Sequence, residues 1–533
     1  MDDSELDSAT RSSSTSVRAY IRPCLMSSCV AVALLVILSL VVLLPVFYDT
    51  LSTDEDMQYG VVFSVEADHT HMLLYQWNGK KIFSTDRGVA KATDTAVVKL
   101  AHQCNVSYGV NDFVANISLA GLSLTNCLKR TKCSSANSFT QCIPANRVGS
   151  SKSYLGGTDS LRVLDHRNHS LAREILNSTH WVIKDEFPRH ERSYILEYEE
   201  ENAAMIVGWN EMAYNLPPRG DHLQLFGVVS LGELSAHVVL GEQFLLNDTS
   251  DRTKHVHLYN TSFEIYSKVD HCYGWNESLR RLTANLTLQS NLAQPTILHP
   301  CLPVGYHWNI TSHELFIAPC TNWTNSYNSS EVFRFTGNAT RTSCSEAVDS
   351  ILFDDFPKLV INDSYNLTEI YAFSRYHKVM QFFNITSVTD DITGWSQLEH
   401  VVMSYCELSW DQIRSTYPSV KERILYRQCY DGTLVYTLLQ ASGFVPTSQT
   451  GVWSIYSQQS EVPWPMGLIV EKSRNIAANP LKNRPYSDTM MVIGLLTLTM
   501  LVVLFLFVLA YGLKSIWSRT KHYQNGYIQI SPD

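Results

Sequence analysis

The chain has 533 residues, of which 41 are Lys or Arg and 51 are Asp or Glu, and 45% are hydrophobic. This composition excludes a disordered or collagen-like polymer. The net charge of -10, without a Lys/Arg-rich stripe, argues against a nucleic-acid partner. At about 100–200 residues per domain, we expect two globular lobes.

Two segments near the ends of the chain, 24–47 and 490–513, each run 24 residues without a charge. Either is long enough to cross a hydrocarbon core about 30 Å thick. A cleaved signal peptide is the alternative for the first, but its apolar region exceeds the usual length of about 7–15 residues. Basic residues flank the outer ends: Arg18, Arg22, Lys514, Arg519 and Lys521. We therefore predict two membrane spans with both termini in the cytosol.

Features of secreted proteins fill the stretch between these two segments. It contains fifteen Asn-x-Ser/Thr sequons and ten of the twelve cysteines. Sequons accept N-glycans, and an even number of cysteines suits an oxidising compartment. We therefore expect a glycosylated, disulfide-bonded ectodomain on the extracellular or lumenal side.

Two strand-turn-strand patterns predict an α/β fold with an internal repeat. Residues 59–77 place two apolar strands around a polar turn, and residues 226–240 repeat this design about 166 residues later. Segments with helical spacing also occur, such as 110–129 and 433–441. Two such units indicate two related lobes that face a cleft.

Five segments follow one another in order along the chain: residues 59–77, 154–164, 195–203, 226–239 and 464–467. They resemble the apyrase signatures of the ectonucleoside triphosphate diphosphohydrolase family. With the two terminal apolar segments, the chain resembles the cell-surface, two-span branch of that family. The resemblance implies an ectodomain of two ribonuclease-H-like, actin-like lobes, with an active site between them, flanked by N- and C-terminal transmembrane helices.

The resemblance also predicts how the chain is divided. The parts are a cytosolic tail (1–23), a transmembrane helix (24–48), an N-terminal lobe (49–205), a C-terminal lobe (206–440), a return to the first lobe with a stalk (441–489), a second transmembrane helix (490–513) and a cytosolic tail (514–533).

The family's disulfide pattern is implied as well. It pairs Cys104 with Cys127, Cys272 with Cys320, Cys301 with Cys344, and Cys406 with Cys429. Cys133 and Cys142 are extra to that pattern, and we expect them to bond to each other. Each crosslink contributes about 2–4 kcal/mol by restricting the unfolded chain.

The first and fourth segments correspond to the loops with which enzymes of this family hold phosphates. There, glycines let backbone N–H groups approach, and an acidic residue orients a hydrated Ca²⁺ or Mg²⁺. In the first loop the family's Asp-x-Gly-Ser-Ser/x-x-Thr is replaced, and only Thr70, with His69 as a loose match, is retained. The residues at this loop are Ser64, Glu66, Asp68, His69 and Thr70.

In the fourth segment the family's Asp-x-Gly-Gly-x-Ser-x-Gln is also altered. The residues here are Ser230, Gly232, Glu233, Ser235 and His237. Only Gly232 and Ser235 match, and His237 replaces the water-positioning glutamine. Serines therefore stand where both metal-orienting carboxylates belong.

The replacements also add negative charge where phosphate oxygens would lie. Glu66 and Asp68 do so in one loop and Glu233 in the other. Two unit charges about 4 Å apart interact by about 4 kcal/mol at an effective dielectric constant of 20. We therefore predict that phosphate binding is lost or strongly weakened.

The third segment places Glu201 at the family's general-base position. The alternative is a solvated acidic face, because Glu197, Glu199 and Glu200 precede it. Residues that match the second signature are Gly156, Thr158 and Arg162, where Asp159 and Ser160 replace an Ala-Gly pair. In the fifth signature we expect Trp464 and Gly467 to pack rather than to bind.

Other candidate sites carry less information. Tyr376 and His377 lie in the region from which the family draws a base-stacking aromatic residue. The histidine pairs 69 with 71 and 255 with 257 have no third ligand in the sequence pattern, so no metal site is assigned.

The C-terminal tail contains Gly526, Tyr527 and Ile530 in a Gly-Tyr-x-x-Φ pattern. Clathrin adaptors read such a four-residue signal as an extended strand. A sorting signal and a chance match both fit so short a pattern.

Three functions remain open, and we favour a degenerate family member that needs no cofactor and whose ectodomain serves binding, adhesion or complex assembly. The alternative is an active nucleoside di- or triphosphatase that uses Ca²⁺ or Mg²⁺, with water activated by Glu201 and placed by Ser235. An unrelated two-span receptor, such as a class B scavenger-like protein, shares the topology but not the five motifs. Homo-oligomerisation, and location at the cell surface or in endolysosomes, stay open.

Overall fold

The structure is a computed structural model that describes residues 57–84, 90–133, 142–214, 225–241, 253–290, 296–321, 330–352, 368–388, 392–444, 453–457 and 463–478, with five single residues beyond them. The predicted first span, nearly all of the second, and the tail motif of Gly526, Tyr527 and Ile530 lie outside the described residues. Within the described part, no helix is both long enough and apolar enough to cross a membrane. Residues 57–479 form one compact unit.

A five-stranded sheet forms the first lobe, in the order β5-β2-β1-β6-β7. The strands of this part of the chain are β1 (Met57–Val65), β2 (Thr70–Asn78), β3 (Ile82–Ser84), β4 (Ala90–Ala92), β5 (Val98–Val106), β6 (Lys152–Gly157) and β7 (Arg189–Ile195). Strand β1 pairs antiparallel with β2 and parallel with β6. The hairpin predicted at residues 59–77 is therefore confirmed.

A seven-stranded sheet forms the second lobe, in the order β10-β11-β9-β8-β15-β17-β16. The remaining strands are β8 (Gly227–Leu231), β9 (Ser235–Gly241), β10 (Thr253–Leu258), β11 (Thr261–His271), β12 (Ile297–His299), β13 (His307–Thr311), β14 (Val332–Gly337), β15 (Thr368–Ser374), β16 (Ser387–Val388) and β17 (Trp453–Ser457). Strands β12–β14 form a separate small sheet.

The two large sheets share one topology. In each, the central strand (β1 or β8) starts two successive antiparallel pairings on one side (β1-β2-β5 or β8-β9-β11) and two successive parallel pairings on the other (β1-β6-β7 or β8-β15-β17). The second sheet has one more antiparallel strand at each edge, β10 and β16. The predicted α/β class and its internal repeat are therefore confirmed. Strand β17 lies in the second sheet, although it falls within the range 441–489 that we assigned to the return; the lobe boundaries themselves stay a prediction.

The helices of the described residues cover these sheets. They are α1 (Val110–Ala115), α2 (Ser118–Leu122), α3 (Thr125–Thr131), α4 (Ala145–Val148), α5 (Asp159–Arg167), α6 (His169–Glu186), α7 (Tyr198–Tyr214), α8 (Trp275–Gln289), α9 (Ser312–Phe316), α10 (Arg341–Leu352), α11 (Arg375–Phe382), α12 (Ile392–Cys406), α13 (Trp410–Thr416), α14 (Glu422–Leu425), α15 (Gln428–Ala441) and α16 (Trp464–Ser473).

Helices α7 and α16 pack together in the apolar core shared by the two sheets. That core combines residues of both sheets, such as Val62 and Val228, with Trp464 of α16. The helices touch backbone to backbone, because a Cβ on Gly467 would lie 1.8 Å from the carbonyl oxygen of Ala204. Gly467 therefore packs, as predicted, and α16 fixes α7, which carries Glu201.

All five predicted disulfides are confirmed. They join Cys104 to Cys127, Cys133 to Cys142, Cys272 to Cys320, Cys301 to Cys344, and Cys406 to Cys429. The extra pair therefore adds a crosslink to the first lobe without disturbing the pairing implied by the resemblance.

Candidate active site

The turns of the β1–β2 and β8–β9 hairpins border one cleft of about 420 Å³. We call residues 66–69 the first loop and residues 232–235 the second loop. The predicted site residues that line the cleft are Glu66, Asp68, His69, Thr158, Glu201, Ser230, Gly232, Glu233 and His237. Both loops and the third signature thus meet where the resemblance placed the active site.

Side chains of the first lobe hold the acidic residues of the first loop. Ser64 Oγ donates to Glu66 Oε1 at 2.9 Å, and Asn111 Nδ2 donates to Asp68 Oδ1 at 3.1 Å. Burial raises the pKa of Glu66. Arg423 Nη1 lies 3.7 Å from Asp68 Oδ2, but both side chains are largely exposed, so this pair stabilises little.

The other two residues of this region have different surroundings. Burial lowers the pKa of His69 to about 4, with a smaller contribution from His71, whose ring lies 4.4 Å away. His69 is therefore neutral at pH 7. Thr70 is fully buried and donates to the carbonyl oxygen of Tyr108 at 2.9 Å. It fastens the end of the loop and does not line the cleft.

In the second loop a carboxylate of the chain itself occupies the backbone donors. The N–H groups of Leu234 and Ser235 donate to Asp159 Oδ2 at 2.9 and 3.0 Å, and Ser235 Oγ lies 2.9 Å from Asp159 Oδ1. A Cβ on Gly232 would lie 2.2 Å from Asp159 Oδ2, so only glycine allows this approach. Asp159, the first residue of α5, is 4% exposed.

Asp159 is ionised at neutral pH. Burial alone would raise its pKa, but the Arg162 guanidinium and the N–H of Leu234 hold it below its usual range. Nη1 of Arg162 donates to Asp159 Oδ1 at 2.9 Å. The second loop therefore surrounds a buried, fully bonded anion.

Arg162 also binds the predicted general base. Its Nη2 lies 2.7 Å from Glu201 Oε2, and both side chains are 8% exposed. The guanidinium is fixed further by Leu196, whose carbonyl oxygen accepts from Nη2 at 2.6 Å, and by the Tyr198 ring, whose centroid lies 3.9 Å from Cζ. Glu201 thus lies at the cleft in a buried ion pair.

The acidic run around Glu201 is not a uniformly solvated face. Glu199 is exposed, whereas Glu200 accepts a hydrogen bond from Tyr194 Oη at 2.9 Å and lies 3.4 Å from Lys472 Nζ. Glu201 itself is 6% exposed. The solvated-face interpretation is therefore wrong for Glu201, because this residue points into the protein.

Ser235 belongs to a buried chain of hydrogen bonds. His237 Nε2 lies 2.8 Å from Ser235 Oγ, and His237 Nδ1 lies 2.6 Å from Asn202 Oδ1. Since Asn202 Nδ2 donates to Ser267 Oγ at 2.9 Å, we assign the proton to His237 Nδ1. Burial lowers the pKa of His237, so the neutral ring competes with Asp159 for the single hydroxyl proton of Ser235. Ser235 is fully buried and has no side open to the cleft.

Glu233 is held across the cleft. Ser160 Oγ donates to Glu233 Oε2 at 2.8 Å, and Asn276 Nδ2 donates to Oε1 at 3.1 Å. Burial raises the pKa of Glu233. Asp159 and Ser160, at the start of α5 in the first lobe, therefore bind consecutive residues of the second loop.

The supporting residues have mainly structural contacts. A Cβ on Gly156 would lie 2.3 Å from Leu196 Cδ1, so this glycine permits close packing. Thr158 precedes α5 and lines the cleft, as does Trp464, which is 1% exposed. Trp464 thus packs as predicted and also closes one wall of the cleft.

Neither predicted base-stacking residue lines the cleft. Tyr376 is buried in the second lobe, and His377 Nδ1 lies 2.7 Å from Ser457 Oγ. From the same helix, Arg375 and Lys378 line the cleft instead, and Arg375 lies 3.9 Å from the ring centroid of Trp275.

Several cleft residues were missed because they belong to none of the five signatures. They are Asn111, Arg167, Trp275, Asn276, Arg280, Ser374, Arg375 and Lys378. Their only sequence signal is the spacing of Arg375 and Lys378, which places both on one face of a helix. Asp159 and Ser160 did carry a signal, since they replace a pair of small residues.

The described residues do not form a cage of direct protein ligands for Ca²⁺ or Mg²⁺. Such ions take about six or more oxygen ligands, several of which are waters in a hydrated ion, so a hydrated ion needs a free carboxylate beside it. Among these residues, three potential ligand atoms of His, Cys, Asp or Glu gather within 4.8 Å only at Cys344, Cys406 and Cys429, which are all in disulfides. The cleft carboxylates Glu66, Asp68, Asp159, Glu201 and Glu233 are each already bonded to protein groups.

Comparison with known proteins agrees with the arrangement of motifs around this cleft. The model of the GDA1/CD39 (nucleoside phosphatase) family matches residues 50–485. The chain belongs to the GDA1/CD39 family. Among its relatives is ectonucleoside triphosphate diphosphohydrolase 1 of Mus musculus, 22% identical over 469 residues, which cover 83% of this chain and 87% of the relative.

A second relative and one solved structure are also similar to this GDA1/CD39 chain. Ectonucleoside triphosphate diphosphohydrolase 3 of Mus musculus is 26% identical over 502 residues, covering 87% of each chain. A solved structure of nucleoside triphosphate hydrolases from Neospora caninum matches with a TM-score of 0.52 at 12% identity, over 80% of this chain and 94% of that one. This likeness shows a shared mixed α/β fold.

Proposed function

We propose that this GDA1/CD39 member has lost metal-assisted nucleotide hydrolysis and that its ectodomain acts by binding or complex assembly. The observation that carries the proposal is the carboxylate of Asp159, which stands where the second signature has a small residue and accepts from the N–H groups of Leu234 and Ser235 at 2.9 and 3.0 Å. In addition, Glu201 forms a buried ion pair with Arg162, at 2.7 Å. The residue in the general-base position is thereby held as the partner of a cation. If Glu201 accepted a proton from water, it would lose its charge and leave the buried guanidinium of Arg162 with one partner fewer, which costs free energy.

The charges of the loops are a second obstacle to nucleotide hydrolysis. Phosphoryl transfer depends on binding the phosphates and neutralising their developing charge. The first loop presents Glu66 and Asp68 instead, and Ser64 and Ser230 stand where metal-orienting carboxylates belong. A general base contributes only about 10²–10⁴-fold, so Glu201 does not compensate for unbound phosphates.

An active, metal-dependent nucleoside di- or triphosphate hydrolase is the second candidate. The observation in its favour is the set of cations that line the cleft: Arg167, Arg280, Arg375 and Lys378. In that case Glu201 would have to leave Arg162, and Ser235 would have to leave Asp159. We favour the first proposal because it requires neither rearrangement.

We further propose a membrane glycoprotein with both termini in the cytosol and with residues 50–488 extracellular or lumenal. The two uncharged segments, their flanking charges and the sequons support this topology. Digestion with peptide N-glycosidase should lower the apparent mass by tens of kDa. A protease that cleaves the ectodomain from the cytosolic side of sealed vesicles would contradict it.

Phosphate release tests the proposed loss of hydrolysis. Purified full-length wild-type protein and the Glu201→Ala variant are incubated with ATP, ADP or UDP, with Ca²⁺, with Mg²⁺ or with a chelator. We expect no release above that of the variant under any condition. A metal-dependent turnover of even a few per second that is lost in Glu201→Ala would establish the second candidate.

A further inference from the structure

The second loop has the geometry of a complete anion-binding cradle. Two consecutive N–H groups, those of Leu234 and Ser235, converge on one oxygen of Asp159 at 2.9 and 3.0 Å. The Ser235 hydroxyl reaches the other oxygen at 2.9 Å, and Arg162 donates to that same oxygen at 2.9 Å. Both N–H groups, the Ser235 hydroxyl and Nη1 of Arg162 therefore face one carboxylate.

These donors would suit an oxyanion other than a carboxylate. Consecutive backbone N–H groups form a concave site for anions, and a guanidinium binds a phosphate as well as a carboxylate. Gly232 leaves room for the bound oxygen, because a Cβ there would lie 2.2 Å from Asp159 Oδ2. The loop thus keeps its anion-binding chemistry even though its ligand belongs to the chain.

We propose that the second loop is a working anion cradle in which Asp159 is a tethered ligand, and that inorganic phosphate or a phosphate monoester binds there once the carboxylate is removed. This inference deepens the proposed loss of hydrolysis and rests on it. Because Asp159 is joined to the site, a free anion must compete with a ligand that binds intramolecularly. The wild-type cradle is therefore closed to phosphate.

The same carboxylate also ties the two lobes together. Asp159 belongs to α5, which follows β6 of the first sheet, whereas Leu234 and Ser235 join β8 and β9 of the second. Ser160 adds the neighbouring bond to Glu233 at 2.8 Å. Removing only the Ser160 bond should loosen the contact between the lobes but leave Asp159 in the cradle. The comparison therefore separates weaker lobe contact from release of the cradle.

Isothermal titration calorimetry with inorganic phosphate tests the inference. Full-length wild-type, Asp159→Ala and Ser160→Ala proteins are compared at constant ionic strength, with chloride as the control anion. We expect Asp159→Ala to bind phosphate with a Kd at least tenfold below that of the other two proteins. Equal, weak binding by all three would overturn the inference.

A second measurement keeps the inference testable if Asp159→Ala fails to fold. In the wild-type protein, hydrogen exchange at the amides of Leu234 and Ser235 should be protected at least 100-fold more than at exposed turn amides. Rapid exchange of both amides would overturn the inference. Phosphate binding by Asp159→Ala does not depend on turnover, so nucleotide hydrolysis by the wild type would defeat the proposed function, whereas absence of phosphate binding would defeat only the cradle.

Discussion

The two loops of the cleft are equivalent positions of a repeated hairpin. Ser64 pairs with His71 across the first hairpin, and Ser230 pairs with His237 across the second, with a constant offset of 166 residues. Each turn also closes in the same way, because the N–H of Glu66 donates to His69 O at 3.0 Å and that of Gly232 donates to Ser235 O at 2.9 Å. The backbone scaffold is therefore common to both.

A helix N-terminus supports each turn at the same position. The N–H of Val110, which begins α1, donates to the carbonyl oxygen of Glu66 at 2.9 Å. The N–H of Trp275, which begins α8, donates to that of Gly232 at 3.0 Å. The resemblance of the loops thus extends beyond the hairpins to the helices that hold them.

The loops differ in the partners of their polar groups. The acidic side chains of the first loop accept hydrogen bonds from their own lobe, from Ser64 and Asn111, and one of them, Asp68, also forms an exposed pair with Arg423 of the other lobe. The second loop instead bonds across the cleft, to Asp159 and Ser160. The two loops share one backbone scaffold but depart from the family in different ways. The first loop carries added acidic side chains, whereas the backbone N–H donors of the second loop are occupied by Asp159.

The largest effect should follow from removing the cation that both carboxylates share. Arg162→Ala leaves Asp159 and Glu201 as unpaired buried charges, which should cost about 3–5 kcal/mol. Chemical unfolding of the full-length protein measures this loss. Arg173→Ala on the exposed face of α6 is the matched control, and a loss for Arg162→Ala no greater than for this control would show that the pair is not buried in solution.

A pH-dependent effect should arise where the lobes meet away from the loops. Glu211 accepts from the N–H of Val98 at 2.6 Å and from Tyr259 Oη, and burial raises its pKa to about 7. Because the folded pKa exceeds the ordinary value of 4.5, its contribution is full below about pH 4.5 and is lost as the pH rises through 7. A shift of this size corresponds to about 3 kcal/mol.

Thermal unfolding between pH 4.5 and 8 checks this prediction. The wild type should lose stability over that range, and Glu211→Gln should lose less, because the amide does not titrate. Parallel pH profiles for the two proteins would mean that Glu211 titrates normally in the folded state.

A smaller difference in folding stability should distinguish the second loop from the first. Ser160→Ala removes the donor to the half-buried carboxylate of Glu233 and should cost about 1.5–3 kcal/mol. Asn111→Ala removes the donor to the exposed Asp68 and should stay within about 0.5 kcal/mol. Both are measured by the same unfolding assay, and equal losses would mean that the second loop is no more tightly held than the first.

The hairpins and the disulfides could be predicted from the sequence, because they depend on local patterns of residues and on the resemblance to the family. The hairpins at Ser64 and Ser230 follow from strands around polar turns, and four of the five disulfides follow from the resemblance, with Cys133 and Cys142 left to pair with each other. The occupation of the second loop was not predictable, because Asp159 and Ser235 are 76 residues apart and belong to different lobes. Pattern reasoning identified Asp159 as a departure, but only the packed lobes determine where its carboxylate lies.

The same reason explains why the ion pair of Glu201 and the cations that line the cleft were not predicted. Glu201 could be placed at its family position, but its pairing depends on the side chain of Arg162 from another helix. Arg375 and Lys378 reach the cleft from α11, which carries no signature of its own. Side-chain partners across two lobes are set by tertiary packing, which a local pattern does not encode.

Nucleotide-induced thermal stabilisation tests the central claim, the loss of phosphate binding in the cleft, most directly. Full-length protein is melted with ATP, ADP or UDP in the presence of Ca²⁺ and again with chelator. A nucleotide at 100 times its Kd would stabilise a binding-competent protein by about 2.7 kcal/mol. We predict no Ca²⁺-dependent shift at millimolar nucleotide, whereas a saturable shift that disappears with chelator would contradict the claim.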